Sequence, residues 1–74
     1  MNKQRRKEIH DILSEIQNIK SKLEMVQMNE EMAFDSMPEN LQYSMRGEES
    51  QEAIDVMNSA VESLDEAIDQ LNNI

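Results

Sequence analysis

The last third of the chain is built from three consecutive seven-residue blocks, residues 52–58, 59–65 and 66–72. Each block opens with a polar residue, Ala and a β-branched residue, carries Met or Leu at its sixth place, and ends in Asn or Asp. Ile54, Met57, Val61, Leu64, Ile68 and Leu71 therefore alternate at spacings of three and four, which puts them along one face of a helix. Ala53, Ala60 and Ala67 flank that seam in every block, and small side chains there let a neighbouring helix come close. A seven-residue period held this strictly implies left-handed supercoiling, because a straight helix drifts about 20° per heptad. The first third repeats the alternation with Ile9, Ile12, Ile16, Ile19, Leu23 and Val26, and Leu13 widens the stripe. The pattern predicts one helix from about residue 3 to about residue 32 and another from about 48 to 72. The seam of the first is expected to fail at Glu30.

Between them, residues 33–47 hold the only Pro, Gly and aromatic residues of the chain. Asp35 or Ser36 can cap a new turn, with Pro38 in that turn and Glu39 three residues after Ser36. The spacing predicts a short connector helix over about 37–45, followed by Gly47 as a left-handed residue before Glu48 and Glu49 open the last helix. Ser44 as an earlier cap, with helix running straight through Gly47, is the competing arrangement. The expected fold is all-α, a single antiparallel helical hairpin spanning 1–74. A lone hairpin leaves much of both seams uncovered, so two copies are expected to pair as a four-helix bundle, in line with the prevalence of two-fold homodimers.

Composition excludes several classes. At 74 residues the chain buries only about 60% of its unfolded surface, and with no cysteine nothing staples it covalently. No apolar run approaches the ~20 residues of a membrane span, and the charged start is unlike a signal peptide, so a cytoplasmic protein without membrane partners is expected. Residues 1–24 hold six of the seven basic groups, whereas residues 25–74 hold twelve acids against Arg46 alone. The net charge of −9 argues against direct nucleic-acid binding. In an antiparallel hairpin the cluster Lys3, Arg5, Arg6 and Lys7 is expected to face Asp65, Glu66 and Asp69, each offsetting a charge that opposes its own helix dipole.

The residues offer little to chemistry. His10 is the only histidine and falls outside the seam; Glu8, Asp11 and Glu15 beside it are spaced as an ordinary solvated helix face. With a single Gly no phosphate-binding loop can form, and no cofactor or catalysis is expected. Seven methionines are the remaining oddity. Met25, Met28, Met32, Met37 and Met45 gather around Phe34, Leu41 and Tyr43, and are expected to plug the connector end of a bundle with adaptable side chains. The second reading makes Met28, Met32, Phe34, Leu41, Tyr43 and Met45 a binding surface.

The stretch Phe34-Asp-Ser-Met-Pro-Glu-Asn-Leu-Gln-Tyr-Ser-Met-Arg-Gly-Glu48 and the acidic heptads after it resemble a group of small, mostly uncharacterised helical-hairpin proteins of Gram-positive bacteria and their phages. Met37 and Met45 stand where that group more often has Leu and acidic residues. The resemblance covers roughly the C-terminal half and implies a helical hairpin in a mobile-element setting, without implying an activity. Small proteins in that setting commonly act by binding, so the leading expectation is a non-enzymatic protein–protein interaction module directed at a host or defence protein. A second hypothesis is an acidic nucleic-acid mimic, with Glu48, Glu49, Glu52, Asp55, Glu62, Asp65, Glu66 and Asp69 standing in for phosphates. A third, weaker one rests on Ser50-Gln-Glu-Ala-Ile-Asp55, which resembles the Ser-Gln-Glu-Leu-Asp motif of hairpin phosphatases acting on response regulators. Asp55 is displaced by one residue from that pattern, about 100° around a helix.

Overall fold

Asn2 starts the first helix: its backbone is extended and its Oδ1 accepts the Arg5 N–H at 2.8 Å, satisfying one donor of the first turn. In the computed structural model, which describes residues 1–74, helix α1 then runs Lys3–Asp35 without a break. Nothing within it interrupts a helix, since Gly and Pro are both absent until Pro38. Pro38 disfavours a helical backbone at Met37, and the Ser36 N–H closes the end on Met32 O. Helix α2, Glu39–Gln42, is a single turn entered from the extended Pro38. Helix α3, Met45–Asn72, is capped by Ser44, whose Oγ accepts the Gly47 N–H. The two long helices pack antiparallel through a body whose Cα extents are 58 × 15 × 12 Å. There are no strands.

The connector differs from expectation in three ways. α1 continues three residues past 32, because Glu30 does not end the seam: its Oε1 accepts the Ser50 hydroxyl at 2.6 Å, so a polar layer carries the packing onward. The connector helix is one turn rather than 37–45. Ser36 does not cap it, since its hydroxyl is turned back onto Met32 O, and Pro38 holds the cap position. The space is stitched instead by Gln42, whose Nε2 donates to Phe34 O at 3.1 Å and to Met37 O at 3.3 Å. Gly47 is not left-handed, for no glycine has a positive φ. It lies in the first turn of α3, and a Cβ built there would stand 2.1 Å from Gln42 O and 2.6 Å from Leu41 O. The chain needs glycine at this point for close approach of the α2 backbone, which is the arrangement with Ser44 as cap.

The seam of α3 falls on the predicted residues, with Ile54, Val61 and Ile68 buried and Met57, Leu64 and Leu71 half-buried. It also extends back through the buried Ser50 and Gly47. The seam of α1 is rotated from the predicted one. Ile9, Ile16 and Leu23 are half-buried as expected, but the second column against α3 is Leu13, Lys20, Gln27 and Phe34. Leu13 is the only buried residue of α1, at 5% exposure. Ile12, Ile19 and Val26 remain 47%, 55% and 55% exposed. The apolar stripe of α1 is wider than one partner helix can cover, and the single chain uses the side that carries Leu13 and Phe34.

The expected pairing of end charges does not form. The one ion pair of the chain joins Lys20 to Asp65, and Arg6 donates to the carbonyl of Ile74. The register therefore sets the N-terminal basic cluster beside the last residues of the chain, beyond the level of Asp65, Glu66 and Asp69.

Candidate interaction surface

The hairpin has two flanks, and they differ in chemistry. On one flank Gln27 donates to Asn58 Oδ1 at 3.5 Å, Lys20 meets Asp65 at 2.5 Å, and a cleft is lined by Glu24, Gln27, Met28, Glu31, Asn58 and Val61. The hydrogen bond to the Asp65 carboxylate, aided by the charges of Glu24 and Asp69, raises the Lys20 ammonium above its ordinary pKa. Most of the residues along this flank are polar, with Met28 and Val61 the apolar members of its cleft.

The opposite flank begins at a cleft lined by Glu30, Ala33, Met37, Arg46, Glu49 and Ser50, which fixes the sides of both helices that share it. Stepping back along α1 in sevens from Ala33 reaches Val26, Ile19 and Ile12; stepping forward along α3 from Arg46 reaches Ala53, Ala60 and Ala67. The exposed isoleucine column that the hairpin leaves uncovered thus runs beside the alanine column. Val56, 63% exposed, lies at the outer edge of the same flank in a shallow hollow with Ala53 and Met57, rimmed by Glu49 and Glu52. One side of the two-helix layer is therefore apolar from Ile12 and Ala67 to Val26 and Ala53 and polar at its connector end, and the other side is mostly polar.

The connector residues take up different positions from a plug. Phe34 and Met37 are half-buried, but Met28, Met32, Leu41, Tyr43 and Met45 are exposed, as is Met25. The space a plug would have filled is taken by Gln42 and by the close approach of α2 to Gly47. Met25, Met28 and Met32 form a row on the outward side of α1. Mild hydrogen peroxide is expected to convert Met25, Met28, Met32 and Met45 to sulfoxides well before Met57, as followed by peptide mass spectrometry. Uniform oxidation of all five would contradict this placement.

The acids proposed as phosphate mimics are spread along α3. Glu48, Asp55, Glu62 and Asp69 recur every seven residues on its outer side, while Asp65 is turned into the polar flank by Lys20. Asp55 accepts from Gln51 and Glu62 from Asn58. Eight acids over the roughly 32 Å from Glu48 to Asp69 give about one charge per 4 Å, against one per ~1.7 Å in duplex DNA. Ser50 of the phosphatase-like motif is buried on Glu30, while Asp55 points to solvent. His10 is exposed, and Glu8, Asp11 and Glu15 do not converge on a common point. No helix is long and apolar enough to cross a membrane.

Sequence reasoning missed Glu30, Ser50 and Gly47 as seam residues, because their polar or absent side chains break the apolar pattern. Their spacing carried the signal: Gly47 and Ser50 continue the three-four alternation of α3 backwards from Ile54. The chain matches no known family model, no curated protein and no solved structure.

Proposed function

We propose that this chain is a non-enzymatic helical interaction module whose working surface is the apolar flank, and that a second copy of the chain occupies it to give a four-helix bundle. The observation that carries the reading is the half-exposed column Ile12, Ile19 and Val26 lying beside Ala53, Ala60 and Ala67. The hairpin's own seam is thin. No large side chain in it is fully enclosed, and Lys20, Gln27, Glu30 and Ser50 occupy places that a stronger core would fill with apolar groups. Single cores in chains below about 70–80 residues rarely supply more than 3–5 kcal/mol, so covering the flank is the available source of further stability.

The outward row Met25, Met28 and Met32, with Tyr43 and Met45, gives the module a second face. Methionine and tyrosine suit an adaptable protein contact, and in the mobile-element setting implied by the resemblance the partner is a host or defence protein. Light scattering across a concentration series tests the assembly. A particle of twice 8.6 kDa that dissociates on dilution is the expected result. A monomer that unfolds cooperatively and independently of concentration would overturn the reading.

A further inference from the structure

Covering the apolar flank with a second copy allows two symmetric arrangements, and the side chains on the flank distinguish them. A two-fold axis parallel to the helices puts both connectors at the same end and lays α1 of each copy on α3 of the other. An axis across the helices puts the connectors at opposite ends and lays α1 on α1 and α3 on α3. We infer that the copies pair with their connectors at the same end, the Ile12–Ile19–Val26 column of each seated on the Ala67–Ala60–Ala53 column of the other. The inference rests on the dimer reading above.

Three observations carry it. The first is size. Along α1 the flank is large at Ile12, Ile19 and Val26 and along α3 it is small at Ala67, Ala60 and Ala53, so the same-end pairing sets one large residue on one alanine in each of these three layers, and the layers interdigitate. The opposite-end pairing sets isoleucine on isoleucine along one edge and alanine on alanine along the other. Interaxial distance follows side-chain size, so that pairing must splay the helices on one side and leave a gap.

The second is level. An axis parallel to the helices preserves height, so a residue of α1 meets the α3 residue that stands at its own height within its own chain. Ala33 and Arg46 already share one cleft on this flank. One heptad at a time from that pair, Val26 comes level with Ala53, Ile19 with Ala60 and Ile12 with Ala67. The columns match without sliding either copy. Lys22, at the outer edge of α1, then stands beside Val56 of the second copy and can lay its aliphatic stem over that exposed side chain.

The third is area. The paired helices run for about 40 Å and two helices side by side are about 20 Å across, so the flank offers about 800 Å² per copy. A standard stable interface buries about 800 Å² per partner, so a second copy fills the requirement without further elements.

The absence of cysteine makes a direct test possible. Separate I19C and A60C proteins are mixed in equal amounts, allowed to exchange, and oxidised mildly, with each single variant oxidised alone as the comparison. The same-end pairing is expected to give predominantly the mixed disulfide between Cys introduced on different copies, and V26C with A53C repeats the result one heptad away. Facing positions meet the Cα separation of roughly 4.4–6.8 Å that a disulfide requires, whereas the two copies of α1 lie diagonally across the bundle. Ready cross-linking of I19C to itself would overturn the inference in favour of the opposite-end dimer. A dimer by light scattering that forms neither product would also overturn it. A monomer by light scattering would instead remove the dimer reading on which it rests.

Discussion

Gly47→Ala is expected to destabilise the protein by on the order of 3 kcal/mol, measured as a lowered urea midpoint of the helical circular dichroism signal. At an exposed site within a helix the same change would have the opposite sign, with a gain of up to about 1 kcal/mol from alanine's better propensity. The reversal comes from one contact. The new methyl group would stand 2.1 Å from the Gln42 carbonyl oxygen and 2.5 Å from its carbon, and both are backbone atoms with no rotamer to change. Relief requires α2 to move away, which loosens the two hydrogen bonds that Gln42 makes to Phe34 and Met37. Arg46→Ala, at the exposed neighbouring position, serves as the control and is expected to shift stability by no more than about 0.5 kcal/mol. A Gly47→Ala protein as stable as the parent would show that α2 does not lie against α3.

Ile19→Asp separates a surface residue from an interface residue. Within one hairpin Ile19 is 55% exposed, so an aspartate there would cost within about 0.5 kcal/mol. In the paired form each copy buries it, and an uncompensated buried charge costs about 3 kcal/mol or more per site. Two sites per dimer raise the dissociation constant by about four orders of magnitude or more, at about 1.4 kcal/mol per tenfold. Sedimentation at micromolar concentration is then expected to show monomer for Ile19→Asp and dimer for the parent. Ile68→Asp, on the buried seam of α3, provides the contrast, because it unfolds the chain in either state. A dimer unchanged by Ile19→Asp would place the interface elsewhere.

The fold was legible in the sequence because its signal is periodic and local. Apolar residues at alternating spacings of three and four over six positions specify a helix face whatever the surroundings, and the single Pro and Gly locate the break. The seam of α3 was legible residue by residue, since only one apolar stripe runs along it. That of α1 was not. Its stripe spans three columns, and which two face α3 depends on tertiary contacts of Leu13 and Phe34 that lie far apart in the chain. Lys20 and Gln27 lie outside the apolar pattern that defined the predicted seam, although each finds a partner on α3. The connector was read through capping chemistry, which is local, but its shape depends on a backbone contact between Gly47 and Gln42 that no spacing rule contains. The candidate surface emerged from this same mismatch, as the column Ile12, Ile19 and Val26 that the predicted seam placed inside.

The near-identity of the three closing blocks creates a translational degeneracy: sliding α3 along α1 by one block, about 10.5 Å, sets apolar side chains on apolar side chains again. Hydrophobic burial alone discriminates weakly among those phases. The ion pair breaks the tie. At the place where Asp65 meets Lys20, the neighbouring blocks present Asn58 and Asn72, so only one phase gives the ammonium a carboxylate. Lys20 thus acts as the index mark of a sliding scale, useful less for the energy of one exposed-edge bond than for making the other settings unequal to it.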